Sequence, residues 1–403
     1  MRVLVIGDPY MPVSAYAEAL ASLKGASRDG RVGLSTMQID EVTCPPPRTE
    51  SERGLREYVG DPAEIARAVA GHDVLVVHGA PVTSEVLGAA PLRLVCCARG
   101  GPVNVDMAAA TDRGIPVVNT PGKNAEAVAE LTIAFALLLI RAVPRASRHL
   151  LEGGSLAESA FEGREFFGRE ASSLTMGLVG LGHVGREVAR RARALGFALV
   201  GYDPQSPPAA VPGVDLVPLD TLLARSDIVS LHARLTPENH QMFSHDRFAQ
   251  MRPGAYFINT ARESLVDEPA LRHALEQGIL GGAALDVLER TPAGDRNPLL
   301  AIPNVFVTPH IGGATSETLA RGARRAVAAV TQLLAGRVPA NVVNPQALQA
   351  PQVRQVRQAR QAPQLRQALQ TPQPLQPLQA PQIQPAPHVQ QAPHIQQAES
   401  TSI

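Results

Sequence analysis

The chain of 403 residues contains no tryptophan, and aromatic residues make up only 3% of it. So sparse a supply argues against a surface that stacks nucleic-acid bases. An excess of either charge is also lacking, since 37 basic residues face 37 acidic ones. A balanced chain does not advertise nucleic acid or an anionic membrane as its partner. Cysteine is scarce: Cys44 stands alone and Cys96 and Cys97 are neighbours. Adjacent cysteines rarely form a structural disulfide, and no metal-type spacing appears, so a reducing compartment is expected. Long apolar runs are missing too. Leu131–Ile140 is too short to span a bilayer and suits a core helix. The start, MRVLVIGDPY, has too short an apolar stretch for a signal peptide and reads as a buried strand over Arg2–Ile6. The expected location is the cytoplasm.

What is present falls into three zones. Up to about residue 120, Val/Leu-rich runs (RVLVIG, DVLVV at 73–77, LRLVCC at 92–97) alternate with helical stretches (15–23 and 63–71). Continuous apolar strands between amphipathic helices indicate a parallel sheet covered on both faces. From 121 to 316 the pattern repeats. A helix over Glu126–Arg141 precedes strand-like runs at 175–182, 197–203, 227–232, 255–260, 282–287 and 305–309, with helices at Val184–Leu195 and Glu268–Glu276. The fold class is therefore α/β, with two doubly wound parallel-sheet domains. The third zone, 346–403, is rich in proline and glutamine, and glutamine recurs every third residue from 352 to 382. Such a composition buries too little apolar surface to offset chain entropy and points to a disordered tail.

One motif stands out. Gly180-Leu-Gly182-His183-Val184-Gly185 follows an apolar strand and opens a helix. In that context the first glycine makes a tight turn, the second admits a pyrophosphate, and the third lets helix and strand pack closely. The helix N-terminus offers free N–H groups to phosphates. Asp203 follows at the end of the next strand, 18 residues after Gly185. A carboxylate there accepts bonds from ribose hydroxyls and repels a 2′-phosphate, which favours NAD over NADP. Arg262, Asp286 and His310 each stand where a strand of the second domain should end, so they are expected to converge near the nicotinamide.

The stretch from about 93 to 315 resembles the D-2-hydroxyacid dehydrogenase family, in particular its D-3-phosphoglycerate dehydrogenase branch. The matching segments are NVDMAAATDRGIPVVNTPGKNAEAVAE (104–130), GLVGLGHVGRE (177–187), SDIVSLHARLTPE (226–238), INTARESLVDEPAL (258–271), GAALDVLE (282–289) and TPHIGGAT (308–315), with ANVVNP (340–345) like that family's domain end. The resemblance implies a flavodoxin-like substrate domain over 1–120, completed by about 317–345, and a Rossmann NAD-binding domain over 121–316. It implies that Arg262 holds the substrate carboxylate and that His310 exchanges the hydroxyl proton while hydride moves between C2 and NAD. Guanidinium and imidazole suit these tasks. Asp286 would orient the nicotinamide amide, Thr260 would line the cofactor site, and Gly100 and Gly101 would bind the carboxylate through their N–H groups. The implied partners are a small 2-hydroxy or 2-keto acid and a second copy of the chain in a homodimer.

The chain departs from the family's pattern in places. The family's glutamate five residues after the aspartate is replaced by Thr291, with Glu289 and Asp295 nearby as substitutes. Arg99 stands where glycine is common, either as a second anion contact or as a solvated loop residue. His78 stands where phosphoglycerate enzymes often have arginine, which leaves room for a sugar acid or a small hydroxy acid. The rival expectation is an NADH-sensing, corepressor-like binding protein with weak turnover, supported by Thr291 and the tail.

Overall fold

A computed structural model describes every residue except 27–31, 43, 155–163, 165, 206–210, 290, 292–294 and 350–403. The disordered tail expected over 346–403 therefore lies almost wholly outside the described residues.

Five parallel strands form the first sheet: β1 (Arg2–Gly7), β2 (Gly33–Gln38), β3 (Val74–Val77), β4 (Leu94–Cys97) and β5 (Val117–Val118), in the order β2-β1-β3-β4-β5. Its central strands are buried along their length because helices cover both faces, which is why they read as unbroken apolar runs. One face packs Ile65, Val69, Val86 and Leu87; the other packs Leu20, Leu23, Val327 and Val330. The last two belong to the helix Ser316–Leu334, which returns to this sheet from the far end of the chain.

Seven parallel strands form the second sheet: β6 (Thr175–Val179), β7 (Ala198–Tyr202), β8 (Asp215–Leu216), β9 (Ile228–Leu231), β10 (Ala255–Asn259), β11 (Leu280–Leu285) and β12 (Val305–Val307). Their order is β12-β11-β10-β9-β6-β7-β8, so the winding reverses between β6 and β9. Ligands bind such sheets at that switch point, beyond the carboxyl ends of the strands. The apolar run around Leu131–Ile140 lies in the helix Ala125–Ile140, mostly buried against this sheet. Among the described residues no single helix is long and apolar enough to cross a membrane.

The register of this sheet positions its loops. Val307, Leu285, Asn259, Leu231, Val179 and Tyr202 lie abreast across six strands. The chain leaves the sheet at one level after each of them, carrying His310, Asp286, Arg262, His232, the glycine turn and Asp203.

The strand-like runs predicted from sequence all appear, with ends moved by up to three residues; the run at 175–182 ends at Val179, and that at 282–287 spans Leu280–Leu285. Strands β2, β5 and β8 were not anticipated. Strand β2 (GLSTMQ) is an edge strand with mostly exposed side chains, so no apolar run marks it, and β5 and β8 have two residues each. Residues 341–343 add to the β5 edge, where Val342 bridges Val118 in antiparallel fashion. Buried Asn344 locks this return: its Oδ1 accepts from Val117 N at 2.8 Å and its Nδ2 donates to Ile115 O at 3.0 Å. Asn344→Ala would strand buried backbone groups and is expected to lower unfolding stability by about 1–3 kcal/mol, read from chemical denaturation midpoints.

Candidate active site

The glycine turn after β6 has the geometry that its spacing predicts. Gly180 sits at φ 95°, and a Cβ there would come within 2.6 Å of Ala233 N. A Cβ on Gly185 would lie 2.0 Å from Gly180 O, so any side chain would push the helix His183–Ala194 off the strand. Gly182 caps that helix and is exposed, with nothing within 4 Å of an added Cβ, which leaves its backbone open to a phosphate. His183 is exposed at the first position of the helix, and Val184 is half-buried beside it. Asp203 follows β7, and its carboxylate accepts from Leu181 N at 2.8 Å and Gln205 N at 2.9 Å. It thus holds the glycine turn while standing where a ribose would rest. These residues fit a dinucleotide.

Arg262 is carried by a turn that buried Asn259 ties. Asn259 Oδ1 accepts from Ala261 N at 2.9 Å and its Nδ2 donates to Arg262 O at 2.8 Å. The guanidinium is partly exposed; its Nη1 donates to Ala261 O at 2.7 Å. Thr260 points inward, and its hydroxyl meets Thr132 Oγ1 at 3.0 Å. Asp286 is buried, and both its oxygens are engaged within the chain. Oδ1 accepts from Thr308 Oγ1 (2.6 Å) and Ile311 N (2.8 Å), and Oδ2 accepts from Gly312 N (2.8 Å). These contacts make Asp286 the anchor of the turn that bears His310. His310 is exposed and sits at φ 56°, a left-handed conformation that a non-glycine residue holds only when its surroundings impose it.

Thr291 turns back onto its own loop. Its hydroxyl donates to Asp295 O at 2.9 Å, and no hydrogen bond among the described residues joins it to His310. Glu289 lies with Glu268, Asp267 and Glu263; burial first, then these like charges, push its carboxyl up. The carboxylate at the site comes instead from Glu57, which sequence reasoning missed. Arg99 Nη1 donates to Glu57 O at 2.6 Å and its Nη2 pairs with the Glu57 carboxylate, while Arg262 Nε lies 3.9 Å from Glu57 Oε1. Burial works against ionising Glu57, but Arg99, then Arg262 and His310, outweigh it and hold the carboxyl below its usual range. Arg99 is therefore neither a solvated loop arginine nor a free anion contact. No motif in the sequence marks Glu57, because its role depends on a loop of the first sheet reaching a strand end of the second.

Loops after β1, β3 and β4 complete the cleft. Gly100 and Gly101 are exposed, and among the described residues their N–H groups have no acceptor. His78 Nδ1 lies 3.0 Å from Asp8 Oδ2, and its ring stacks on Tyr10 at 5.0 Å. Burial lowers the His78 pKa, and Asp8 offsets this only in part. Behind Tyr10 lies Lys123, whose buried Nζ has no hydrogen-bond partner among the described residues and stands 5.9 Å from the Tyr10 ring centre.

A switch-point glycine turn, an acidic residue after the next strand, and an arginine and a histidine at neighbouring strand ends define a dinucleotide-dependent oxidoreductase fold. A model of the "D-isomer specific 2-hydroxyacid dehydrogenase, NAD binding domain" matches residues 133–312. A hydroxypyruvate reductase of Thermotoga maritima is 39% identical over 262 residues, which are 64% of this chain and 83% of that one. A D-3-phosphoglycerate dehydrogenase of Methanocaldococcus jannaschii is 38% identical over 286 residues, or 70% of this chain and 53% of that one. The crystal structure of the TT0316 protein from Thermus thermophilus is 35% identical with a TM-score of 0.68, covering 85% of this chain and all of that one. The chain belongs to the D-isomer-specific 2-hydroxyacid dehydrogenase family, and NAD is the cofactor of its nucleotide-binding region. It spans about half the length of the D-3-phosphoglycerate dehydrogenases that it matches.

Lys123 gives a pH-dependent prediction. Burial first, then the charge of Arg99, push its pKa down to about 8 from 10.5. Below pH 8 the folded protein carries a buried charge at full cost. Between pH 8 and 10.5 the folded protein sheds this proton while the unfolded chain still holds it, so stability rises with pH and the cost fades. Lys123→Met is expected to stabilise the fold at pH 7 by roughly 3 kcal/mol, and the gain should shrink as pH nears 10.5. Urea melts of both proteins across that range would show it.

Proposed function

We propose that the chain is an NAD-dependent D-2-hydroxyacid dehydrogenase acting on phosphoglycerate, a sugar acid or a small hydroxy acid. The observation that carries this reading is the meeting of Arg262 and His310 around Glu57, which Arg99, the neighbour of the open Gly100 and Gly101 N–H groups, also holds. Arg262 binds the substrate carboxylate and leans on the C2 oxygen, since its planar fork matches two oxygens at once. Gly100 and Gly101 donate to the same carboxylate from the other side of the cleft. His310 takes the hydroxyl proton in oxidation and returns it in reduction. Asp286 keeps the imidazole at the reacting carbon by holding its turn. Bound NAD supplies the hydride acceptor. Closure of the cleft over these exposed groups would keep water from the reacting centre.

Two experiments test the reading. Loss of NADH absorbance should be seen with at least one of a panel of 2-keto acids that includes hydroxypyruvate, 3-phosphohydroxypyruvate and sugar-derived acids. His310→Asn should slow that turnover by about 10²–10⁴-fold while leaving NADH binding intact. Tight NADH binding without turnover on any acid would overturn it.

The same reading includes a homodimer. Its support is the helix Val143–Leu151, which has no buried residue and exposes Val143, Leu150 and Leu151, the last at 85%. A monomeric surface gains nothing by holding such a helix in water. Leu151→Glu is expected to convert a dimer to monomer in light scattering, and an unchanged mass would count against this interface.

A further inference from the structure

The loop carrying Glu57 is built rather than incidental. Arg56 N donates to Val103 O at 2.9 Å and Val59 N donates to Gly79 O at 3.0 Å, so both flanks are pinned to loops of the cleft. Between these anchors Glu57 adopts φ 51°, a left-handed conformation that costs free energy in a non-glycine residue. The outcome of that strain is one carboxylate set between Arg99 and Arg262.

Two guanidiniums against one carboxylate leave a single positive charge, which is the complement of one substrate carboxylate. The other groups nearby add little to it. His78 is paired with Asp8, and burial favours its neutral form. Lys123, charged at neutral pH, is shut behind the Tyr10 ring with its Nζ closed to solvent, and the Asp8 carboxylate is near enough to offset it. The wall next to Arg99 is thus the stacked pair of His78 and Tyr10, a neutral surface with hydrogen-bonding tips. A phosphate at the substrate's far end is held most strongly by a free guanidinium or ammonium, and Glu57 already holds Arg99.

Building on the dehydrogenase reading, we propose that Glu57 is a specificity-determining residue. By occupying Arg99 it selects 2-oxo and 2-hydroxy acids with one negative charge and an uncharged, hydroxylated remainder over their phosphorylated counterparts. Discrimination arises from repulsion as much as attraction, since a phosphate beside Glu57 meets a like charge.

The test compares kcat/KM for hydroxypyruvate and 3-phosphohydroxypyruvate in the wild type and in Glu57→Gln. The wild type is expected to favour hydroxypyruvate by about tenfold or more, and Glu57→Gln to move the ratio about tenfold toward the phosphorylated acid. Glu57→Asp keeps the charge and should keep the wild-type preference. A wild type that prefers the phosphorylated acid overturns the proposal, even if the variants fail to fold. So does a Glu57→Gln ratio within about twofold of the wild type. Absence of turnover on every acid would instead overturn the dehydrogenase reading. Calorimetry of the NADH complex with D-glycerate and 3-phospho-D-glycerate would then decide the charge preference alone, with tighter binding of the phosphorylated acid counting against Glu57.

Discussion

Because the strands of the second sheet run parallel and pair with Val307, Leu285, Asn259, Leu231, Val179 and Tyr202 abreast, six loops leave it at one height. That alignment turns residues scattered over more than 120 positions into one surface. The glycine turn and Asp203 fall on one side of the reversal in winding, and Arg262, Asp286 and His310 on the other. A strand shifted by one residue would exchange the side chains of its two packed faces and move its loop off this level. The geometry of the candidate site therefore rests on the apolar strands beneath it.

The chain uses buried polar groups to shape its loops. Asp286 closes the turn of His310, Asn259 that of Arg262, and Asp8 the loop after β3, where its Oδ2 accepts from Gly79 N at 2.7 Å. Each satisfies several donors or acceptors at once, so each is tolerated inside the protein. Asp286 does this through three accepted hydrogen bonds, two from backbone N–H groups of the turn itself.

Much of the fold was legible. Runs such as VLVV and LVCC sit in strands buried on both faces, so no alternation obscured them, and the glycine spacing has few structural meanings when a strand precedes it and a helix follows. What escaped was what has no apolar signature: the exposed edge strand Gly33–Gln38 and the two-residue strands. At the site, Arg262, Asp286 and His310 could be named because each follows a strand of one sheet. Glu57 could not, because it lies in an irregular stretch between β2 and β3 and meets its partners only across the cleft.

The sequence by itself determined the class of fold and the nucleotide turn, and marked Arg262 and His310 as residues at strand ends, because these depend on local patterns: apolar runs, glycine spacing and strand ends. Only the tertiary structure decided which carboxylate stands beside them. Thr291 bonds to its own loop and Glu57 arrives from the other sheet, since the field that Glu57 shares with Arg99, Arg262 and His310 exists only once two separately wound sheets face each other.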